Sequence, residues 1–288
     1  MRTKIALCAL AAVGAAWVVL LAGCSGDVEE SPVPTGQVQV MLVDAPSSRI
    51  AELHVRFDAV QLSRGSAPVN TLLDRNDLPG QVDVIAAGEA PVILGTVDLP
   101  VGTYRWTNLS IDPSSPVNRV VTEDGVSHPL RYTPPRAETA NLVGEFEVRE
   151  GERKTLLFEF AAAASVRETP DGWVLNPRIF SRYVDRDPQF GELSGTVRWA
   201  DGRPPVVHRG EVMGVFVRIT DGGAGPLVGL AEIDPDTGAF RLPMVLAGRY
   251  DVTVQAATAD WEPVGEPLFE QRRVNVRANV QTTLEIDA

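Results

Sequence analysis

Gly36-Gln37-Val38-Gln39-Val40-Met41-Leu42-Val43-Asp44-Ala45-Pro46 is the stretch that decides the fold. Val38, Val40 and Leu42 alternate with Gln37, Gln39 and Met41. A period of two sends successive side chains to opposite faces of an extended strand, one apolar and one wet. Asp44, before Ala45-Pro46, reads as an Asx turn ending that strand. The same alternation returns at Leu53, Val55 and Phe57, and at Met213, Val215, Val217 and Ile219. It recurs at Tyr250, Val252 and Val254, then at Val280, Thr282, Leu284 and Ile286. Between these runs, 25 glycines and 22 prolines interrupt the chain at about the spacing of sandwich and barrel turns. Ala161 to Ala164 is the only run of helical composition, and it is too short to propagate a helix. The expected class is all-β.

Asp185-Arg186-Asp187-Pro188-Gln189-Phe190-Gly191 breaks the alternation with charge, Pro and Gly, as inter-domain connections do. Two consecutive β-sandwich domains are therefore expected, over residues 36–185 and 192–288. Each is long enough to bury its own core. Leu99-Pro100-Val101-Gly102-Thr103-Tyr104 in the first and Leu242-Pro243-Met244-Val245-Leu246-Ala247-Gly248-Arg249-Tyr250 in the second are alike. In both, Pro and Gly set a turn, and a Tyr then buries its ring while its hydroxyl caps backbone groups.

Ahead of these domains, Arg2 and Lys4 precede an apolar run from Ile5 to Leu20, then Leu21-Ala22-Gly23-Cys24. This stretch resembles the leader and lipobox of bacterial lipoproteins. The resemblance implies removal of residues 1–23 and acylation of Cys24 by a diacylglyceryl thioether and an N-linked chain. Several acyl chains on one residue suffice for stable anchoring. An uncleaved spanning helix is the competing explanation, but a plain anchor needs no small residues ahead of a cysteine. Ser25 follows the cysteine where an Asp would resemble an inner-membrane retention signal, which favours the outer membrane where the cell has one. Residues 24–35, acidic and Pro-containing, are expected to be a tether.

The chain carries 26 basic against 38 acidic residues, a net charge of −12. Without Arg2 and Lys4 the balance is 24 against 38, or −14. That excludes nucleic acid, which requires a basic patch, and gains nothing from anionic headgroups. Lipid, not charge, is expected to hold the protein at the membrane. Of the two cysteines, Cys8 falls in the leader, so no disulfide is expected within the mature chain.

The sequence contains no G-x-S-x-G, H-E-x-x-H, G-x-x-x-x-G-K-[ST] or G-x-G-x-x-G motif. His54, His128 and His208 are far apart, with no partner at ligand spacing. Asp185, Asp187 and Glu192, and separately Glu232, Asp234 and Asp236, are weighed as calcium ligands, because calcium takes oxygen donors. Their spacing is not that of an EF-hand, and Asp and Gly equally serve turns. Glu145, Glu147 and Glu159 are weighed as a glycosidase pair against charges on a solvated sheet face. Trp106 and Trp173 share strand parity with buried positions. Trp199 and Trp261, at strand ends beside polar loops, are the candidate ligand surface, since exposed indoles stack on sugar rings.

Further resemblances rest on named residues. Gly36 to Pro46, with Leu99-Pro100-x-Gly102-x-Tyr104, Asp124-Gly125 and Leu175-Asn176-Pro177-Arg178-Ile179, resembles domain of unknown function 4382, found in bacterial lipoproteins. The likeness covers roughly residues 36–184 and implies an exported β-sandwich-like domain without a known activity. Where members show an Asp-rich strand before a Ser, this chain has Phe158-Glu159-Phe160, then Ala161 to Ala164-Ser165. Gly195-Thr196-Val197, Asp201-Gly202-Arg203-Pro204, Asp236-Thr237-Gly238-Ala239-Phe240 and Gly248-Arg249-Tyr250-Asp251-Val252 resemble a carboxypeptidase-regulatory or transthyretin-like domain. That implies a seven-stranded accessory or binding module. The expectation is a lipid-anchored envelope protein without a catalytic centre or cofactor, binding or scaffolding a glycan, peptide or envelope protein. A carboxylate-based hydrolase and a calcium-stabilised adhesin are the alternatives.

Overall fold

A computed structural model describes residues 33–45, 49–65, 67–133, 145–185, 187–199, 211–219, 226–259 and 261–287. Cys24, the leader, the tether up to Pro32, His208 and the Asp201 to Pro204 motif lie outside these residues, as does the side chain of Trp106. The architecture is all-β. Among the described residues, no helix is long and apolar enough to cross a membrane.

Thr35–Asp44 is the hub of the first sheet. Val92–Pro100 pairs with it antiparallel, Arg153–Phe160 pairs with it parallel, and Ile179–Val184 follows beyond. Val40 stands opposite Leu156 on one side and Gly95 on the other. Two more sheets share its core. One runs Phe146–Val148, Gly102–Ile111, Phe57–Arg64, Asn70–Leu73. The other runs Val82–Asp83, Ile50–Val55, Arg119–Thr122, Ser127–Pro129. Val38, Val40 and Leu42 meet Leu156, Phe158 and Phe160 there, each fully buried. Burying one such side chain contributes about 1.5–3 kcal/mol. A small ribbon of Arg131–Tyr132, Gly172–Leu175 and Val166–Thr169 completes the lobe.

The second lobe pairs two sheets. Ala239–Leu246, Phe190–Arg198 and Gln281–Asp287 form one, the last two strands running parallel. Leu227–Glu232, Glu211–Ile219, Gly248–Thr258 and Phe269–Val276 form the other. Leu193, Val197 and Phe240 meet Val215, Val217 and Val252 between them. Among the described residues no sheet contains strands from both sides of residues 185–189.

Both tyrosines close their turns as the sequence indicates, but only Pro100 borders its turn: Pro243 lies within the strand Ala239–Leu246. Tyr104 donates to the Pro100 carbonyl at 2.8 Å and Tyr250 to the Leu246 carbonyl at 2.6 Å, four residues back in each case.

Two local expectations are corrected. Asp44 makes no Asx turn: it is 2% exposed, and its Oδ1 accepts the Ala162 amide at 3.0 Å. The alanine run becomes a single helical turn, Ala162–Ser165, capped from that distant strand. Met41 does not face water either. The first sheet is covered on both faces, so Met41 and Val43 pack with Leu157 and with Leu246 of the second lobe. The two sandwiches thus meet along a seam.

Candidate functional site

The seam has two apolar patches. Met41, Val43, Leu157 and Leu246 make one. Ala161, Ala163 and Ala164 of the first lobe pack with Phe216, Leu230, Ala257 and Trp261 of the second to make the other. Buried polar groups also cross the seam. Arg182 Nη1 donates to the Tyr250 hydroxyl at 3.0 Å, and Arg182 Nη2 lies 3.8 Å from Glu159 Oε2. Glu159 Oε1 would lie 2.8 Å from a β-carbon on Gly229, so the carboxylate rests on a glycine of the opposite lobe. Burial raises the Glu159 carboxyl to about 7, with the Arg182 charge opposing it. Burial likewise raises Asp44 well above the usual carboxylate range; the Ala162 amide opposes this, and the nearby Glu159 charge adds to it.

Ion pairs join the rim: Arg49 with Glu232, Arg241 with Glu89 at 2.9 Å, and Arg178 with Glu262 at 3.7 Å. Two hollows open beside them. The first, about 380 Å³, is lined by the alanine turn, Arg49, Arg167, Glu168, Asn176, Trp173 and Trp261. Its volume is within the usual range for small-ligand sites. The Asn176 Oδ1 atom is buried with no hydrogen-bond partner among the described residues. The second hollow, about 500 Å³, lies on the polar face of the Phe190–Arg198 sheet, with Ser194, Thr196, Gln281, Thr283, Glu192 and Glu285 in its lining.

The candidate indoles part company here. Trp261 is not a surface residue: it is 6% exposed. Its backbone adopts φ +60°, a conformation costly for a bulky side chain, and its amide donates to the Thr258 carbonyl at 2.8 Å. That turn folds the indole edge-on against Phe216, 6.3 Å between centroids, into a slot above Gly214. It still lines the first hollow. Trp199 is half-buried and lines neither hollow. Trp173, expected to be buried, is half-buried and stacks on His128 at 5.6 Å. A glycine breaking the alternation of Met213 and Val215 was the available sign of a close approach there. Arg49 and Asn176 had no comparable signal beyond the Leu175 to Ile179 motif.

The acidic residues weighed for calcium are engaged elsewhere. Asp185 accepts from Lys154 Nζ at 2.6 Å, and Glu192 pairs with Arg241 at 3.1 Å. Asp234 Oδ1 accepts the amides of Asp236 and Thr237 at 2.9 and 2.8 Å, while Asp187 and Asp236 are exposed. Among the described residues no group of three His, Cys, Asp or Glu is placed to hold a metal. The three glutamates weighed for hydrolysis do not converge. Glu145 and Glu147 are exposed, paired with Arg105 at 2.9 Å and Arg149 at 2.8 Å, whereas Glu159 is buried in the seam. His54 has partners the spacing did not suggest: Nε2 lies 2.6 Å from Glu52 Oε2, and Gln81 Nε2 lies 2.6 Å from Nδ1.

Residues 35–177 match the family described as Domain of unknown function (DUF4382). No curated protein matches the chain. Among solved structures, the chain is 12% identical to the TIE protein of Bacillus anthracis, covering 88% of this chain and 34% of that one, TM-score 0.21. It therefore spans about a third of that protein. It is 14% identical to a minor pilin of Streptococcus agalactiae, covering 86% and 94%, TM-score 0.24. With a variant of the major pilin subunit of Bacillus cereus it shares 9% identity, covering 88% and 70%, TM-score 0.22.

Proposed function

We propose that this chain is a non-catalytic, lipid-tethered envelope protein whose two sandwich modules, residues 36–185 and 192–288, together bind an extracytoplasmic ligand at their seam. The observation that carries it is the first hollow. Half-buried Trp173, a floor of alanines and the edge of the buried Trp261, with Arg49, Arg167, Glu168 and Asn176 around them, give a cleft of small-ligand size with mixed apolar and polar walls. The first module is of the uncharacterised family matched above. The second has seven strands among its described residues, in keeping with a carboxypeptidase-regulatory-like module. Cys24, acylated after loss of residues 1–23, would hold both at the cell envelope, in the outer membrane where one exists.

The test uses the full chain expressed in a bacterium that processes lipoproteins. Clickable palmitate is expected to label the wild type and not Cys24→Ala; equal labelling refutes the tether. The purified protein is then titrated with defined soluble glycans and peptides while tryptophan fluorescence is followed. A saturable response that Trp173→Ala abolishes is expected for at least one probe, and silence from every probe removes the binding role.

A further inference from the structure

Resting on that binding role, we infer that the ligand is an extended, uncharged glycan that occupies both hollows of the seam. Arg49 lines the first hollow, Glu232 lines the second, and these two side chains form an ion pair. The hollows are therefore neighbours across one bridge, and a chain-like ligand passing over Arg49 reaches both.

The linings differ in the way the two aspects of a sugar chain differ. Trp173, half-buried, offers aromatic surface, which takes the apolar C–H face of a pyranose ring. Asn176 shares this lining, and its Oδ1 is buried without a hydrogen-bond partner; leaving such an atom unsatisfied costs about 1–3 kcal/mol. The second hollow presents Ser194, Thr196 and Thr283 hydroxyls, the Gln281 amide and the Glu192 and Glu285 carboxylates. Carboxylates accept from neutral hydroxyls with short, charge-assisted bonds.

Charge argues against an anionic glycan, because the second hollow is lined by Glu192, Glu232, Asp234 and Glu285 against Arg241. An extended peptide finds the central strand Phe190–Arg198 already paired on both sides and is left only the outer edges of Ala239–Leu246 and Gln281–Asp287; it is the competing ligand that the titration separates from a glycan.

Small side chains also give the site its depth. A β-carbon on Gly214 would sit 2.7 Å from the Trp261 ring, and Ala163 and Ala164 leave the floor low. The strained φ of Trp261 belongs to the turn that folds its indole inward against Phe216.

The experiment is isothermal titration of the full chain in detergent with neutral linear β-glucan, chitin, xylan and mannan oligosaccharides, from disaccharide to octasaccharide. Alginate oligosaccharides and a peptide library run in parallel. At least one neutral series is expected to bind, tightening with length and levelling off once the chain spans both hollows. Trp173→Ala weakens every length by about tenfold or more. Thr283→Arg, at an exposed position that leaves the core untouched, weakens the long oligosaccharides about tenfold and spares the short ones. Failure of all neutral glycans overturns the inference, as does tighter binding of alginate or indifference of the long glycans to Thr283→Arg. A peptide that binds in a Trp173-dependent manner while all glycans fail would leave the binding role standing and remove the glycan.

Discussion

Glu159 is 5% exposed, with Arg182 as its counter-charge and Gly229 of the opposite lobe against its carboxylate. Burial raises it from 4.5 to about 7, so the native state holds a proton there that the unfolded chain releases. The stability this group contributes is complete below the unfolded value and is lost as pH rises through about 7. Asp44, also raised, acts with the same sign. The urea midpoint of the wild type is expected to fall between about pH 5 and about pH 8. Glu159→Gln, which cannot ionise and keeps the size of the side chain, flattens that fall. Equal slopes for the two proteins would show that Glu159 does not titrate in this window. An isolated Glu on a strand resembles a solvated charge. What marked it otherwise was its setting, Leu156-Leu157-Phe158-Glu159-Phe160, apolar on both parities as strands buried on both faces are.

At the scale of elements, the alanine turn depends on a residue 118 positions away. Four residues cannot nucleate a helix unaided, and Ala162–Ser165 has no cap of its own. Asp44 Oδ1 satisfies its first amide, and the turn packs its alanines against Phe216 and Trp261. Asp44→Ala is expected to destabilise by about 1–3 kcal/mol through the orphaned Ala162 amide, measured by urea unfolding. Asp44→Asn keeps the acceptor and costs much less. Equal losses would place the effect elsewhere than this bond. The two tyrosine turns are the opposite case, because in each the Gly and the Tyr are two residues apart and the hydroxyl reaches a carbonyl four residues back, so local chemistry specifies them.

At the scale of the whole molecule, residues Val33–Ala288 form one compact unit although their sheets divide into two sets. Met41, Val43, Leu157 and Leu246 join them, with Arg182 and Tyr250 bonded across. The wild type is expected to unfold in one calorimetric transition. Leu246→Asp buries an unpaired carboxylate at the seam, which is costly, and should split that transition in two while the second core stays intact. Two resolved transitions in the wild type would mean that the seam does not couple the lobes.

The sequence alone determined the all-β class, the alternating strands and the two turns that end on a tyrosine. Each is written in side chains adjacent or alternating along the chain, where steric and hydrophobic rules act locally. Tertiary structure alone decided what covers the second face of the first sheet, that Asp44 is buried, that Trp261 turns inward, and that Trp173 joins it beside Asn176. Those outcomes come from surfaces tens of residues to more than a hundred residues apart meeting at the seam, and no period in the sequence encodes that meeting.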